Sequence, residues 1–493
     1  MEQAPLSPLS LSEIRPAARS LTKNVGRLRV ALLAVVAVGV ALRMVFSRAP
    51  LWNDEIWSLQ NLQRIDGIGG VLWGLSHDNN HFLNSLWLYF VAPVTAFPPA
   101  LRGLSILAGV LAIPAMAELG ARRGPAGAIA AALLTACSFF QIVYSVEARG
   151  YAVATLCLIL AYGQVEKALD TAARAARWRL ALACGLGFFA HLAFGPAAAG
   201  LAFVAFVETI VRRRLGAGAA LVATFRLFWP TVMAMAPTLM LLAAGYAKTG
   251  GFTIGALTPY SLARAIGGAT SLGMMTFGLD PTSFAQTAFA LVGLPVLILA
   301  AILLLAPMPR KSAYLVMLVV LPVLAVALKI PNTHVARYFF AGSPFLILLA
   351  ADAFAELFRR GALFRALALA GLAAALAGDG AALARLNAGE AAPWTDALER
   401  IADSPDRTLS TSHDFNVGKS VAYFNATRGA GLVLIPAEQM CAEPPAWRIV
   451  ETRGDGKAEP ELTTDCGLSY RLEGVFDRDV PSQLPWALYR AVR

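Results

Sequence analysis

The chain has 493 residues, of which 57% are hydrophobic and 15% are charged, with a formal net charge of +10. Soluble proteins average roughly 45–50% apolar and about 25% charged residues, so this composition excludes an ordinary soluble protein and indicates a polytopic membrane protein. The positive charge does not indicate nucleic-acid binding, because the arginines fall in short clusters between apolar stretches, as in cytoplasmic loops.

The N-terminal residues 1–27 are polar and basic, and we expect them to form a cytoplasmic tail. A membrane-spanning helix needs about 20 apolar residues. About eleven stretches meet this need, and they occupy residues 28–46, 102–119, 125–145, 151–168, 179–196, 197–211, 222–243, 285–306, 313–329, 338–356 and 363–382.

Basic clusters set the orientation of these spans. With the N-terminus inside, every loop that must also be cytoplasmic carries a cluster, at Arg122–Arg123, at 167–179, at 212–214, at Arg310–Lys311 and at Arg359–Arg360. This pattern obeys the positive-inside rule and predicts an extracytoplasmic C-terminus. Residues 28–385 are therefore the predicted transmembrane domain.

One apolar stretch, Phe82 to Phe97, is about 16 residues long and marginal for spanning. Counting it as a span would reverse every later loop and place the arginine clusters outside. We therefore predict a helix that lies in or dips into the outer interface, within a first outer loop of residues 47–101. Trp87 and Tyr89 suit that location, because Trp and Tyr favour the headgroup region.

The composition turns polar from residue 386, and residues 386–493 are predicted to form a small extracytoplasmic α/β domain. The segments RTLSTS, GLVLIP and WRIVET are typical of short strands, with helices at 394–402 and at 417–424. Cys441 and Cys466 form a disulfide if this region is exported, although their spacing alone does not decide the pairing.

This topology places four groups of polar residues on the outer side of the membrane. They are Asp54–Glu55, His81, Glu147 with Arg149, and Lys329 with His334 and Arg337. Each group has an ordinary interpretation: Asn53–Asp54 as a helix cap, Glu147 and Arg149 as a solvated loop pair, Arg337 as a headgroup contact, and the histidines as interfacial residues. Acids and cations gathered on one face beside apolar helices instead indicate a site, provided that the loops meet in space.

The residue types point to a particular chemistry. A carboxylate accepts a proton from an attacking hydroxyl or amine, and Arg or Lys binds a phosphate and stabilises its charge as it leaves. A membrane-embedded polyprenyl-phosphate sugar suits both roles. Such a donor also removes the need for nucleotide sugars outside the cytoplasm.

At these residues the sequence resembles the GT-C membrane glycosyltransferases, in the branch of the protein O-mannosyltransferases and the lipid A aminoarabinose transferase. The resemblance covers residues 28–360 and is carried by the Asp-Glu pair at 54–55, by HFLNSLWLYF from His81, by YSVEARGYA from Tyr144, and by Arg337–Tyr338. The proline that usually follows the outer-loop histidine is replaced by Phe82 and Leu83.

The resemblance implies transfer from a polyprenyl-phosphate donor with inversion at the sugar carbon. It implies Asp54 as the base with Glu55 as support or alternate, Arg337, Lys329 and Tyr338 at the donor phosphate, and His81, Glu147, Arg149 and His334 shaping the site. No cofactor or metal is expected, although Asp54, Glu55 and His81 leave a weak divalent-cation site open. The C-terminal domain either helps to select the acceptor or only stabilises the membrane part.

We therefore expect an envelope glycosyltransferase in a bacterial plasma (inner) membrane, whose acceptor is a lipid, a lipopolysaccharide or a protein. The Ala-, Gly- and Arg-rich composition is typical of GC-rich bacterial genomes. The main alternative is a transporter or flippase of lipid-linked sugars, which would place ionisable groups near the membrane midplane in two related halves. A membrane-anchored sensor is a further alternative, but it needs far fewer spans.

Overall fold

The computed structural model describes residues 11–77, 79–171, 174–252, 259–388, 393–412, 414–452, 458–476 and 486–492. Residues 1–10 of the predicted cytoplasmic tail lie outside this set. The first part of the described chain is helical, and its helices are α1 (Leu11–Phe46), α2 (Asn53–Leu62), α3 (Gly67–Trp73), α4 (Phe82–Val91), α5 (Pro98–Leu101), α6 (Gly103–Ala121), α7 (Pro125–Cys137), α8 (Phe139–Ser145), α9 (Tyr151–Thr171), α10 (Arg174–Ala190), α11 (Phe194–Arg213), α12 (Ala217–Thr249), α13 (Leu262–Thr276), α14 (Phe284–Ala288), α15 (Leu294–Leu304), α16 (Met308–Leu315), α17 (Leu321–Ala327), α18 (Gly342–Arg359) and α19 (Ala362–Ala388).

Eight stretches of described helix are long and apolar enough to cross a membrane, so the protein is an integral membrane protein. They are the apolar part of α1, then α6, α9, α11, α12, α14 with α15, α16 with α17, and α19. Short π-helical turns join the two members of each pair.

The bent pair α7 and α8 would make a ninth span. Helices α10 and α18, which the sequence also predicted as spans, are not among those that meet the criterion. Helix α10 begins among Arg174, Arg177 and Arg179, and α18 carries Asp352 and Glu356, so both are short of uninterrupted apolar length. The total of eleven spans therefore stays a prediction.

The bend between α7 and α8 has an identifiable cause. Ser138 is extended, with φ −52° and ψ 125°, and it interrupts the helix at that point. The side chain of Asp379 in α19 accepts a hydrogen bond from the freed backbone N–H of Phe139 at 2.9 Å, as an N-cap residue does from within its own chain segment. The two helices meet at 53°, and α8 then leads into the turn that carries Glu147 and Arg149.

The first outer loop forms the short helices α2 to α5. Helix α4 has 10 residues and is therefore about 15 Å long, half the thickness of the hydrocarbon core. It is too short to cross the membrane, in agreement with the charge argument. The indole of Trp87 donates a hydrogen bond to the carbonyl of Ala100 at 3.0 Å, which fixes α4 against α5.

A buried charge network holds the bundle together at the end opposite the outer loops. Arg310 in α16 donates to Glu166 of α9 at 2.9 Å, to Asp352 of α18 at 2.8 Å, and to the carbonyl of Leu119 in α6 at 2.6 Å. Tyr314 donates to the second oxygen of Asp352 at 2.6 Å. These charges are tolerated at membrane depth because each is paired within the bundle.

The C-terminal region contains helices α20 (Pro393–Ala402) and α21 (Asp414–Arg428) and six strands, β1 (Thr408–Thr411), β2 (Val433–Leu434), β3 (Trp447–Glu451), β4 (Glu461–Thr463), β5 (Ser469–Phe476) and β6 (Trp486–Ala491). The sheet order is β2-β1-β3-β6-β5-β4, parallel on either side of β1 and antiparallel beyond β3. The three predicted strands are β1, β2 and β3. Cys441 and Cys466 are joined by a disulfide, with their Cα atoms 6.0 Å apart.

This region packs directly on the first outer loop. Leu51, Ile56 and Leu88 of the loop share one buried hydrophobic cluster with Trp394 and Val417. The indole of Trp394 also donates to the carbonyl of Leu51 at 3.1 Å. The soluble region is therefore part of the wall around the outer ends of the helices.

Candidate active site

Asp54 lies in the first turn of α2, with about a third of its side chain (33%) exposed. Its Oδ2 accepts a hydrogen bond from Nη1 of Arg149 at 2.6 Å and another from Nη1 of Arg337 at 3.4 Å. Burial raises the pKa of this carboxyl, but the positive charges of the two arginines outweigh burial and hold the pKa below its usual value. Asp54 is thus an ionised carboxylate that is bound by the two arginines on one side and accessible to solvent on the other.

Glu55, the neighbouring residue, turns away from this opening and is buried. Its two oxygens accept four hydrogen bonds: two from Arg102, at 2.9 and 2.6 Å, one from the backbone N–H of Trp52 at 2.8 Å, and one from that of Ala148 at 2.6 Å. Arg102 is itself fully buried and also donates to three carbonyls in the segment between α1 and α2. The structure therefore gives Glu55 the contacts of a residue that positions the loop.

The turn between α8 and α9 brings Arg149 to Asp54. A Cβ atom on Gly150 would lie 1.9 Å from the carbonyl oxygen of Ala190, so only glycine permits this approach to the link between α10 and α11. Arg149 also donates to the side-chain oxygen of Asn79 at 3.0 Å and to Nε2 of His81 at 3.3 Å. The guanidinium is thereby fixed in a single orientation.

His81 caps α4 and is buried beside Arg149. Burial lowers its pKa well below the usual 6.5, and the nearby His191, Arg149 and Arg337 add to the effect. The imidazole is therefore neutral, which agrees with the hydrogen bond that its Nε2 accepts from Arg149.

Arg337 lies in a short 3₁₀ turn (Ala336–Phe339) before α18. The preceding loop packs closely on α13, because a Cβ atom on Gly268 would lie 2.1 Å from the carbonyl oxygen of Thr333. Tyr338 follows with its ring centroid 5.9 Å from the guanidinium carbon of Arg337, and 38% of the residue is exposed. The loop thus places Arg337 against the carboxylate of Asp54, which Arg149 also contacts.

Two predicted residues of this loop, Lys329 and His334, are exposed and lie apart from the contacts of Asp54. The backbone N–H of Lys329 donates to the carbonyl of Val326 at 3.1 Å, whereas its ammonium has no hydrogen-bond or ion-pair partner among the described residues. Burial, with Arg337 and Arg264 nearby, lowers the pKa of His334. Their assignment to the site stays a prediction.

An aromatic wall of Tyr144, Tyr151 and His191 lines the buried side of the site. The ring of Tyr151 lies 4.3 Å from that of His191 and 5.2 Å from that of Tyr144, and the guanidinium carbon of Arg149 lies 5.1 Å from the Tyr151 centroid. Burial, with Arg149 and Arg337 nearby, lowers the pKa of His191 to about 3, so this imidazole is neutral.

Three buried donors, two in this wall and one on Arg337, have no hydrogen-bond partner among the described residues. They are Nε of Arg337, the hydroxyl of Tyr144 and Nε2 of His191. Nδ1 of His191 accepts from the backbone N–H of Ala193 at 3.1 Å, which places the ring proton on Nε2. Since buried polar groups are normally satisfied, an acceptor-rich ligand such as a phosphate is the expected complement.

Glu147 lies in the same turn as Arg149 and is fully buried. Burial raises its pKa to about 8, while Arg149 and Arg337 act in the opposite direction. A carboxyl that is largely protonated near neutral pH is a poorer partner for the arginines than Asp54, which leaves their charge available.

Sequence reasoning missed three residues that the structure brings to the site: Asn79, His191 and Lys419. Asn79 donates to the backbone of Asp54 at 3.1 Å and orients Arg149. The ammonium of Lys419, from α21, lies 4.0 Å from the ring centroid of Trp57, which is three residues beyond Asp54. Asn79 stands two residues before His81, but no local pattern marks His191 or Lys419.

Among the described residues, no three His, Cys, Asp or Glu side chains gather as metal ligands. The three residues of the suggested cation site are engaged elsewhere: Glu55 with Arg102, and both Asp54 and His81 with Arg149.

The chain is similar in structure to ArnT from Cupriavidus metallidurans. The ArnT structure bound to undecaprenyl phosphate matches with a TM-score of 0.54 and 13% sequence identity, over 93% of this chain and 97% of that one. The apo structure matches with a TM-score of 0.54 and 14% identity over the same shares. No protein-family model matches the sequence, and no curated protein matches it significantly. The likeness shows a shared fold, the GT-C fold, and confirms the predicted fold class.

Proposed function

We propose that this protein is a membrane glycosyltransferase that transfers a sugar from a polyprenyl-phosphate donor to an envelope acceptor at the outer face of the membrane. One observation carries the proposal: an ionised, partly exposed carboxylate, Asp54, stands beside Arg149 and Arg337, and three buried donors nearby, one of them Nε of Arg337, have no partner in the part of the chain that the structure describes. A base next to donors that can bind a phosphate is what attack on a sugar phosphate requires.

In the proposed reaction, Asp54 accepts the proton of the attacking hydroxyl or amine. A new bond forms at the anomeric carbon as the bond from that carbon to the phosphate oxygen breaks, which inverts the configuration. The electron pair leaves with the polyprenyl phosphate, whose added charge is stabilised by Arg337 and Arg149. The low pKa of Asp54 keeps the carboxylate in its accepting form at neutral pH.

The remaining residues support these two roles. Asn79 and His81 orient Arg149, and Glu55 fixes the turn of α2 that presents Asp54. His191 and Tyr144 supply further donors toward the phosphate. Tyr338 lies beside Arg337, and Lys329 and His334 belong to the same loop, where they would meet the donor only as it enters.

Two observations support a donor and a site on the outer face. The ArnT structure with the same fold contains undecaprenyl phosphate, a lipid of the proposed class. In this chain, the site lies at the end of the helices opposite the clusters around Arg122, Arg212 and Arg310, which the positive-inside rule assigns to the cytoplasm. The N-terminus would then be cytoplasmic and the C-terminal domain extracytoplasmic.

The test compares a deletion strain that carries the wild-type gene with one that carries Asp54→Asn at equal expression. Mass spectrometry of envelope glycolipids and glycoproteins should show a species that is lighter by one sugar unit in the variant, because removal of a general base lowers rates by about 10²–10⁴-fold. Asp66→Asn, an exposed carboxylate in the same outer loop, is the matched control and should leave the pattern unchanged.

Identical glycan patterns in the two strains would contradict the proposal. Transport of a lipid-linked sugar by the reconstituted protein, without transfer, would instead support the transporter alternative.

A further inference from the structure

Lys419 brings a cation from the C-terminal domain to the rim of the site. Its ammonium nitrogen lies 4.0 Å from the ring centroid of Trp57 and 2.9 Å from that of Phe415. Trp57 follows Asp54 by three residues in α2, and residues at this spacing are neighbours on a helix surface. The lysine and the carboxylate therefore face the same opening.

Docking of the domain fixes this position. Ser420 donates to the side-chain oxygen of Asn53 at 2.6 Å, and Gln60 donates to the backbone carbonyl of Lys419 at 3.0 Å. The two hydrogen bonds are made by residues of α2 that lie before and after Trp57. Helix α21 is therefore held against the helix that presents Asp54, and Lys419 does not reach the site by chance extension of a flexible side chain.

The charge of Lys419 is not matched by a carboxylate of its own. No described acid lies within ion-pair distance of it, and Asp54, whose charge acts on Lys419, is already shared by Arg149 and Arg337. Burial lowers the pKa of Lys419 to about 7, with Asp54 acting in the opposite direction. Three basic side chains, those of Arg149, Arg337 and Lys419, thus surround the single ionised carboxylate of Asp54. This excess of positive charge favours anionic ligands.

The surroundings of Lys419 differ from those of the two arginines. Arg149 and Arg337 belong to the buried side with Tyr151, whereas Lys419 lies over the half-buried Trp57 and the exposed Phe415. In a single displacement, the attacking group and the leaving phosphate lie on opposite sides of the anomeric carbon. A second anion site on the open side of Asp54 is therefore placed for the acceptor.

We propose that Lys419, held over the ring of Trp57, forms an acceptor subsite, which binds a phosphate or carboxylate group of the acceptor. This inference rests on the proposed function, because it presumes a separate donor phosphate at Arg337. The same anionic chemistry is also present in the donor, so the test must distinguish the two sources.

The first test measures protection of Lys419 from an amine-acylating reagent at neutral pH, read by peptide mass spectrometry on the full chain in lipid nanodiscs. The protein is first saturated with undecaprenyl phosphate. Glucose 1-phosphate is then added up to about 10 mM, and glucose at the same concentration is the uncharged control. We expect glucose 1-phosphate at about ten times its Kd to slow acylation about tenfold, and glucose to have no effect.

The outcomes separate the possibilities. Protection by undecaprenyl phosphate alone would assign Lys419 to the donor and overturn the inference, as would acylation that glucose 1-phosphate leaves unchanged. Failure of the wild-type protein to bind undecaprenyl phosphate would instead contradict the proposed function itself.

The second test follows transfer to the acceptor that the mass-spectrometric comparison of the two strains identifies. Lys419→Met should raise the acceptor KM about tenfold or more, because a charge-assisted hydrogen bond is lost, and should leave kcat and undecaprenyl phosphate binding nearly unchanged. Lys419→Arg should restore most of the affinity. Arg428→Met, an exposed cation at the far end of α21, is the matched control and should behave as wild type. A fall in kcat at unchanged acceptor KM would overturn the inference.

Discussion

Substitutions of the two adjacent carboxylates of the Asp-Glu motif are predicted to have different effects: that of Glu55 lowers stability, and that of Asp54 abolishes transfer. Glu55 accepts four hydrogen bonds in a buried site, from Arg102 twice and from the backbone of Trp52 and Ala148. Glu55→Gln keeps the shape of the side chain but removes the charge. It also replaces one acceptor oxygen with an NH₂ group that faces a donor.

The size of the effect follows from the burial of the pair. The side chains of Arg102 and Glu55 are 0% and 1% exposed, so solvent does not screen the loss. Charged hydrogen bonds contribute about 1.5–3 kcal/mol each, but four such values are not additive. Breaking a buried ion pair by removing one partner costs about 3–5 kcal/mol, and this is the loss of unfolding free energy that we expect for Glu55→Gln.

The assay compares thermal unfolding and undecaprenyl phosphate binding of the detergent-purified Glu55→Gln and Asp54→Asn proteins. Glu55→Gln should lower the Tm clearly, and the transfer activity of the fraction that stays folded should remain measurable. Asp54→Asn should retain a Tm near that of wild type, because its side chain is partly exposed, and should lose transfer. A Glu55→Gln protein with an unchanged Tm and no transfer activity would refute this division of roles.

Three further predictions concern the cations around the membrane. Arg337→Met should weaken undecaprenyl phosphate binding by about 10- to 100-fold in a direct binding measurement, and unchanged affinity would remove Arg337 from the phosphate site. The wild-type acceptor KM should rise as the pH increases through about 7, where Lys419 loses its proton, whereas that of Lys419→Arg should stay flat. Asp54 and Arg64, whose charges act on Lys419, and His77, which stacks on Trp57, are common to both proteins, so parallel profiles would argue against this role of Lys419. Arg310→Met should destabilise the bundle by about 3–5 kcal/mol, seen as a lower Tm, and leave the donor affinity of the folded protein unchanged.

The sequence predicted the parts of the site that local motifs carry. Asp54, Arg149 and Arg337 stand in short, distinctive segments, and the charge-based topology places all three on one side of the membrane. The structure brings both arginines within hydrogen-bonding distance of Oδ2 of Asp54. Topology alone sufficed here because helices that cross a membrane return their connecting loops to a common plane.

Other features depend on tertiary contacts that no local pattern encodes. His191 and Lys419 reach the site from a helix link and from a separate domain, at sequence distances where periodicity carries no information. The division between Asp54 and Glu55 likewise depends on Arg102 and Ala148, which lie in other segments. Strands β5 and β6 alternate weakly between apolar and polar residues, and only the pairing of β6 with β3 and of β5 with β6 reveals them.

The hydrogen bonds of Glu55 also imply an order of assembly. Its partners lie 47 and 93 residues further along the chain, so synthesis delivers the carboxylate first, the Arg102 guanidinium second, and the amide of Ala148 last. Arg149, the main partner of Asp54, is the next residue to be made. A nascent chain that ends before this turn carries the whole Asp-Glu motif without these two contacts, and one short turn then supplies a partner to each carboxylate.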